Sequence, residues 1–333
     1  MKYLKEALTF DDVLIQPSMS SIKPSDTDVS SQVTKNIKLN IPLMSAAMDT
    51  VTESSLAIKM AQMGGLGTIH KNFDIDKQAE EVNIVKRFES GMVINPYTIS
   101  PKNLLSDALE IKEKYNISGI PVVEERNQKL VGILTNRDIR FATNQKQKVE
   151  SLMTKDNLVT VNQNISIIEA KKLLHKHRIE KLLVVDKDYR CIGLITVKDI
   201  EKAKKFPHAT KDKMGRLLVS GAVGVGPIQG VERAKALVKA GADIIVIDTA
   251  HGHTKNVLET LKEIKKNHSK IPVVVGNVAT ADAASDLIKN GADSIKVGIG
   301  PGSICTTRIV AGIGVPQLHA ISETYRIAKK NKI

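Results

Sequence analysis

The sequence from Leu217 to Ile247 reads LLVSGAVGVGPIQGVERAKALVKAGADIIVI, an apolar run, a helical run and a second apolar run. The rhythm continues through the apolar runs Val273–Val275 and Ser294–Val297, with helical patterns at Asn256–Lys265 and Ala281–Lys289. Short apolar runs that alternate with longer helical patterns are typical of βαβ units around a parallel sheet buried on both faces. The sequence therefore predicts an α/β fold with parallel strands.

The same rhythm occurs earlier in the chain. Ile41–Ser45 and Leu66–Ile69 are predicted strands, and Glu53–Met63 is a predicted helix that ends at Gly64 and Gly65. The tripeptide Gly-Ala-Asp, at residues 241–243 and again at 291–293, is predicted to end one helix and to begin the next strand, because glycine is favoured just past a helix C-terminus.

Counting all these segments gives about six βα units, whereas a closed parallel barrel has about eight. We therefore expect residues 1–91 and 206–333 to form one discontinuous domain. Its fold is either a TIM (β/α)8-type barrel, C-terminally truncated after about six units, or an open α/β sheet of six units.

An internal repeat lies between the two parts of this domain. The segment ISGIPVV at Ile117–Val123 recurs as IEKLLVV at Ile179–Val185, and GILTNRDIR at Gly132–Arg140 recurs as GLITVKDIE at Gly193–Glu201. Each copy combines an amphipathic helix with two apolar strands. The repeat predicts an inserted module over residues 92–205, with halves at about 92–147 and 148–205.

Each copy of the repeat has a threonine and an aspartate at the start of its last helix. The pairs are Thr135 with Asp138 and Thr196 with Asp199. Such side chains cap helix N-termini, and contact with a polar ligand is the other role that the sequence leaves open.

Composition narrows the class of protein. The 333 residues carry a formal net charge of +13, but aromatic residues are only 3% and tryptophan is absent, so base-stacking platforms are scarce. We interpret the charge as a solvated lysine-rich surface and do not expect a nucleic-acid partner. No apolar stretch reaches the roughly 18 to 20 residues of a membrane span, so we expect a cytoplasmic protein without membrane association.

The segment Gly298–Arg308 follows the last predicted strand, reads GIGPGSICTTR and holds the most candidate site residues. Function in parallel α/β folds collects at the carboxyl ends of strands, and closely spaced glycines expose backbone groups to a ligand. A cysteine beside Arg308 can be held as a thiolate, which makes Cys305 a candidate nucleophile. The alternative is a buried structural cysteine, which is our interpretation of Cys191 within the second repeat.

Weaker candidates follow other predicted strands. Asp248 ends one strand, where it would bind a ribose hydroxyl or cap the next helix. Met48 lies beyond the first predicted strand and could contact a planar ligand. His251 and His253 lack the spacing of a helical metal site.

Five motifs together resemble the IMP dehydrogenase family. They are LTFDDVLIQP (Leu8–Pro17), MSAAMDTVTE (Met44–Glu53), IDTAHGH (Ile247–His253), GNVAT (Gly276–Thr280) and GIGPGSICTTRIVAGIGVPQL (Gly298–Leu318). The last is highly specific. The internal repeat resembles a pair of CBS motifs, which this family carries as an insertion in its TIM barrel.

The resemblance implies NAD-dependent oxidation of IMP to XMP, the committed step of guanine nucleotide synthesis, through a covalent thioimidate on Cys305. It implies that Thr307 helps to orient the hydrolytic water and that IMP contacts Ser303 and Met48. Asp248, Asn277, Gly298, Ile299 and Gly300 would bind NAD. The carbonyls of Gly300, Gly302 and Cys305 would bind a potassium ion, which suits a cation that prefers oxygen ligands.

The resemblance also implies a homotetramer, and adenine or guanine nucleotides as regulatory ligands at Thr135, Asp138, Thr196 and Asp199. Family members continue into two more barrel units and a mobile flap, so this chain alone is expected to be inactive. Two alternatives remain: a GMP reductase-like purine nucleotide oxidoreductase, and a non-catalytic CBS nucleotide sensor. The inserted repeat and the segment Ile309–Val315 favour the dehydrogenase.

Overall fold

The computed structural model describes residues 6–88, 93–94, 96–115, 117–162, 165–197, 200–201 and 205–333. These residues divide into two compact units. The first contains the described residues up to Lys86 together with His208–Asp212 and Leu217–Ile333, and the second contains those within Arg87–Pro207 and Lys213–Arg216.

The described part of the chain contains strands β1 to β13 in sequence order. They are β1 Ser31–Thr34, β2 Ile37–Leu39, β3 Gly67–Ile69, β4 Val93–Ile94, β5 Gly119–Val123, β6 Leu130–Thr135, β7 Thr160–Asn162, β8 Lys181–Val185, β9 Cys191–Thr196, β10 Val219–Val223, β11 Ile244–Asp248, β12 Val273–Val278 and β13 Ser294–Val297.

The α-helices are Ser54–Gln62, Ile75–Arg87, Leu105–Tyr115, Asn136–Ile139, Ile167–His177, Arg233–Ala240, Lys255–Asn267, Ala281–Lys289, Thr307–Val310 and Gln317–Lys330. Short 3-10 turns lie at Phe10–Asp12, Pro24–Asp26 and Val149–Ser151, and a π-helical turn at Pro227–Glu232 precedes its helix. None of the helices in these described ranges is long and apolar enough to cross a membrane.

The first unit is built on a parallel sheet. Its strand order is β13-β12-β11-β10-β3, with every neighbouring pair parallel. The predicted α/β fold with parallel strands is confirmed. The sheet buries one apolar cluster beside the β1–β2 hairpin, formed by Leu39, Leu66, Leu218, Ile244, Val246 and Val274.

Glycines set two features of this unit. A Cβ at Gly67 would lie 2.3 Å from the Cα of Ala57, so glycine lets the helix Ser54–Gln62 pack directly against β3. Gly241 and Gly291 have φ of +98° and +97°, where L-residues are strained, and each follows a helix and leads into the next strand. The prediction for both Gly-Ala-Asp tripeptides is confirmed.

The prediction of a strand at Ile41–Ser45 is partly wrong. Ile41–Ser45 is not a regular strand, and its one ladder contact is a parallel bridge between Met44 and Leu66. Pro42 has no N–H to donate, and Leu43 N–H bonds to the carbonyl of Ile41 in a tight turn, at 2.8 Å. The segment still extends the parallel sheet beside β3, so Met48 follows the sheet at the carboxyl end of that bridge.

The second unit contains the internal repeat. β5 pairs with β6 and β8 with β9, both antiparallel and in the same relative positions within the two copies. A helix precedes each pair, Leu105–Tyr115 in the first copy and Ile167–His177 in the second. The unit has its own apolar clusters, two of which centre on Ile120 and Leu182.

Candidate active site

Three neighbouring parallel strands bring their carboxyl ends to one edge of the sheet. At this edge the hydroxyl of Thr249 donates to the carbonyl of Gly276 at 2.7 Å, and the side-chain amide of Asn277 donates to the carbonyl of Gly298 at 2.9 Å. The backbone N–H of Gly298 donates to Val278 at 2.8 Å. The structure therefore brings together the ends of β11, β12 and β13, where the sequence predicted a ligand site.

Two lysines converge on Asp248, the last residue of β11. Lys296 Nζ lies 2.6 Å from the Asp248 carboxylate, and Lys71 Nζ donates to the Asp248 carbonyl at 2.5 Å. The sequence analysis missed both lysines. Lys296 could have been found, because it is a charged residue within an otherwise apolar strand. Asp248 is thus anchored by two cations at this edge of the sheet. Its predicted role as a helix cap is wrong, because the next helix is capped by Thr254, whose hydroxyl accepts from the N–H of Val257.

Two side-chain oxygens near Gly298 are buried without a hydrogen-bond partner among the residues that the structure describes. They are Asn277 Oδ1 and Gln317 Oε1. Gln317 donates its Nε2 to the carbonyl of Val297 at 3.1 Å, and a Cβ on Gly298 would lie 2.7 Å from its Oε1. Buried acceptors without donors are costly, so this edge suits a ligand with amide or hydroxyl donors. The residues fit a nicotinamide dinucleotide in that chemical sense.

The segment after β13 forms a loop around Cys305 that several hydrogen bonds hold together. Gly300 is buried with φ of +79°, and Val315 N–H bonds back to the carbonyl of Ile299 at 3.0 Å. Arg308 Nη1 donates to the carbonyl of Gly300 at 2.6 Å and to that of Gly302 at 2.7 Å. Sequence analysis placed Arg308 beside the cysteine but did not predict these contacts.

The thiol of Cys305 is half-buried and electrostatically favoured as a thiolate. A hydrogen bond from the Thr307 hydroxyl is the largest cause that lowers the pKa of Cys305, followed by the Thr307 backbone N–H, and the positive charge of Arg308 lowers it further. Hydrogen bonds and cations that favour the charged form have this effect on a thiol. Thr307 is thus the residue that most favours the thiolate form of the candidate nucleophile.

The pKa of Cys191 is shifted in the opposite direction from that of Cys305. It begins β9, its Sγ lies 3.6 Å from the carbonyl of Gly193, and burial raises its pKa to about 11. A thiol in this environment is a poor nucleophile at neutral pH.

Two of the three carbonyls predicted to bind potassium, those of Gly300 and Gly302, already contact a cation. Because a single guanidinium nitrogen, Nη1 of Arg308, donates to both of them, these two oxygens point toward a common position. Arg308 fills that position. In this arrangement the residues do not fit a potassium ion at the same point.

The two predicted substrate residues, Ser303 and Met48, and the predicted NAD-binding residue Ile299 are all at least partly exposed. Ser303 is exposed in the Cys305 loop, Ile299 is half-buried at the start of that loop, and Met48 is 51% exposed after the Met44–Leu66 bridge. His253, which was not expected to bind metal, pairs with Asp286 at 2.9 Å across to the helix Ala281–Lys289.

In the second unit, Thr135 and Asp138 form a helix cap. The N–H and hydroxyl of Thr135 both donate to Asp138 Oδ2 at 2.6 Å, and Thr154 donates to the other oxygen at 2.9 Å. Thr196 is buried at the end of β9. Asp199 lies outside the described residues, so the second pair cannot be compared with the first.

Residues 7–333 match the family described as the IMP dehydrogenase / GMP reductase domain. The chain belongs to this family. Similar relatives are the inosine-5'-monophosphate dehydrogenases of Aquifex aeolicus, 55% identical over 100% of this chain and 68% of the relative, and of Rhizobium tropici, 55% identical over 98% and 66%. The enzyme of Staphylococcus aureus is 53% identical over 99% of this chain and 67% of its own length. The chain therefore spans about two thirds of these oxidoreductases.

Solved structures of the IMP dehydrogenase / GMP reductase family are also similar. GMP reductase from Trypanosoma brucei in complex with guanosine 5'-triphosphate has a TM-score of 0.89 and 37% identity, covering 98% of this chain and 79% of that one. A cysteine-to-alanine variant of that reductase, in complex with guanosine 5'-monophosphate, has the same TM-score and identity over 98% and 70%.

The reductase comparison corrects one argument from the sequence. The inserted repeat was expected to favour a dehydrogenase over a GMP reductase. That argument is wrong, because a GMP reductase matches 98% of this chain and so matches most of the repeat as well. The dehydrogenases named above are 53–55% identical to this chain, and the reductase is 37% identical.

Proposed function

We propose that the protein is an NAD-dependent IMP dehydrogenase that converts IMP to XMP through a covalent bond to Cys305. The observation that carries the proposal is the Cys305 loop, in which Thr307 and Arg308 favour the thiolate at the carboxyl end of β13. The identity of 53–55% to named dehydrogenases over nearly the whole chain supports the same reaction.

In the proposed reaction the Cys305 thiolate attacks carbon 2 of the hypoxanthine ring and forms a sulfur–carbon bond. The C2–H bond then breaks, and its electron pair leaves as hydride. When bound, NAD⁺ supplies the hydride acceptor. Water next adds to carbon 2, the sulfur–carbon bond breaks, and the water proton is released to solvent. Covalent catalysis divides one difficult step into two easier ones.

The chain's own residues have separate roles in this proposal. Thr307 donates to the thiolate before attack and is then placed to orient the water. Ser303 and Met48 would bind the IMP phosphate and base. Asp248, Asn277, Gly298, Ile299 and Gly300 would hold the dinucleotide, with Lys71 and Lys296 fixing the position of Asp248.

We further propose that the parallel sheet belongs to a (β/α)8-type barrel and that the repeat is a regulatory CBS pair. Thr135, Asp138, Thr196 and Asp199 would contact adenine or guanine nucleotides, and the cytoplasmic enzyme would be a homotetramer. The family and the parallel order of the five strands support the proposed barrel. The two antiparallel strand pairs in equivalent positions of the repeat support the proposed CBS pair.

The test is turnover of IMP with NAD⁺ in a version of the protein that carries the complete barrel, measured by NADH absorbance and by chromatography of XMP. The Cys305→Ala variant should lose turnover and still bind IMP, because removal of a nucleophile leaves binding contacts in place. Cys191→Ala is the matched control and should keep turnover. A Cys305→Ala variant that produces XMP at the wild-type rate would contradict the proposal.

GMP reductase activity is the second candidate, and the similarity to the trypanosomal reductase favours it. The same preparations should be incubated with GMP and NADPH, with ammonia and IMP as the measured products. Turnover of GMP without turnover of IMP would replace the first proposal with the second.

A further inference from the structure

The Cys305 loop contains its own cation. Arg308 lies in the short helix Thr307–Val310, immediately after the cysteine, and its side chain folds back over the loop. Its Nη1 is 2.6 Å from the Gly300 carbonyl oxygen and 2.7 Å from the Gly302 carbonyl oxygen. Hydrogen bonds from a charged donor are stronger than neutral ones, so these two contacts hold the loop in one conformation.

The position of this side chain is built into the surrounding backbone. A Cβ at Gly300 or at Gly314 would lie 3.4 Å from the Cβ of Arg308, which is van der Waals contact distance. A Cβ at Gly300 would also lie 2.8 Å from the Ile313 carbonyl oxygen, which is closer than a side chain tolerates. Glycine at position 300 therefore lets the two segments beside the stem of Arg308 pack together.

We propose that Arg308 is the internal cation of the Cys305 loop, and that a monovalent metal ion reaches the Gly300 and Gly302 carbonyls only by displacing its guanidinium. The proposal rests on the proposed function, because the resemblance assigns a potassium ion to these carbonyls. Two cations cannot share one pair of oxygens at hydrogen-bond distance, since like charges repel strongly at that range. Arg308 is thus a positioning residue that competes with potassium.

The test is hydrogen–deuterium exchange of the whole chain in potassium chloride and in choline chloride at equal ionic strength. Two amides report on the loop: Cys305 N–H, which bonds to Gly302, and Val315 N–H, which bonds to Ile299. In the wild type, exchange of the segment 300–315 should differ by less than about twofold between the salts, because Arg308 holds the carbonyls in both.

The Arg308→Gln variant removes the internal cation. In choline chloride its segment 300–315 should exchange about tenfold faster than in the wild type, and potassium chloride should restore most of the protection. Arg308→Lys keeps a positive charge and should be protected in choline chloride to an intermediate degree. Arg326→Gln, on the exposed face of the last helix, removes the same charge elsewhere and should change nothing in the loop.

Exchange across β11 in the same samples separates a local effect from general unfolding. Wild-type protection that depends on potassium would overturn the proposal, and so would an Arg308→Gln variant with equal exchange in the two salts. Because the measurement needs no substrate and no turnover, its outcome is independent of whether IMP is the substrate.

Discussion

The two cysteines of the chain differ in the groups that surround each sulfur. The Cys305 thiol accepts from Thr307 and lies near Arg308, and its pKa falls below the ordinary value. The Cys191 thiol is desolvated within the second unit, and its pKa rises to about 11. A lower thiol pKa gives a larger thiolate fraction at neutral pH, so the electrostatics alone select Cys305 as the reactive cysteine.

Alkylation by iodoacetamide, read at each thiol by mass spectrometry, checks this difference. Because the pKa of Cys305 is lowered and burial raises that of Cys191, Cys305 should react at least about tenfold faster at pH 7. The rate at Cys305 should rise with pH and level off below the ordinary thiol pKa. Thr307→Val removes the hydroxyl donor and should shift that rise to higher pH.

Thr306→Val is the matched control for the Thr307 substitution, since it alters a neighbouring threonine that is not among the causes of the lowered Cys305 pKa. Its pH profile should follow the wild type. If both valine variants gave the wild-type profile, the Thr307 hydrogen bond would not be the main cause of the low pKa.

For single residues, the sequence predicted the candidate nucleophile, Cys305, and its neighbour Arg308. The resemblance assigns Thr307 to the orientation of water, and its hydrogen bonds also lower the pKa of Cys305, an effect that the sequence did not predict. The contacts from Arg308 to Gly300 and Gly302 could not be predicted, because they depend on the positive φ of Gly300 and the return of the chain at Gly314.

Two aspartates make the same pair of contacts in the parallel sheet: each accepts from the first N–H of a strand and from a lysine. Asp243 accepts from the N–H of Val219 at 2.9 Å and from Lys86, while Asp293 accepts from the N–H of Val273 at 2.8 Å and from Lys265. Each aspartate ends a Gly-Ala-Asp tripeptide. Each therefore ties the start of the preceding strand to a lysine from a helix.

The two lysines are expected to differ in their contribution to stability. The Lys86 side chain is 3% exposed and also contacts Asp212, whereas that of Lys265 is 21% exposed. Lys86→Met leaves a buried aspartate unpaired and should lower the free energy of unfolding by about 3 to 5 kcal/mol. Lys265→Met is the matched control and should cost about 1 kcal/mol or less, because its pair is partly solvated.

Urea denaturation followed by circular dichroism measures both changes. Equal losses in the two variants would contradict the assignment of the larger effect to burial. A double variant, Lys86→Met with Asp243→Asn, should recover part of the loss, because the unpaired charge is then removed.

The elements show where sequence reasoning succeeds and where it fails. Periodicity located the helix Ala281–Lys289 and the strand Ser294–Val297 at their observed bounds, because local patterning determines both. It failed at Ile41–Ser45, where Pro42 breaks the ladder within an apolar run. The partner of Asp243 could not be predicted, since Lys86 is remote in sequence and only the packed sheet brings it near.

Each of the two units has its own buried clusters. One cluster of the first unit centres on Ile244 and Val246 of the parallel sheet, and the second unit buries separate clusters around Ile120, Leu182 and Leu183. A unit that buries its own apolar surface can fold without another, since that burial is the main favourable term in folding. The repeat suggested such a module from the sequence alone, and its limits at residues 92 and 205 stay a prediction.

Deletion of residues 92–205, with a short glycine–serine linker in their place, should leave the parallel-sheet unit folded. The groups that lower the Cys305 pKa all lie in that unit, so the alkylation rate of Cys305 should stay within about twofold of the full chain. IMP, added as the proposed substrate, should protect Cys305 to the same extent in both proteins. A second deletion, of Ala281–Val297, takes away one helix and β13 and should unfold the unit. Cys305 of that variant should then be alkylated at the same rate with and without denaturant. If the first deletion behaved like the second, the catalytic unit would depend on the repeat for its folding, and the repeat could not be a purely regulatory insertion.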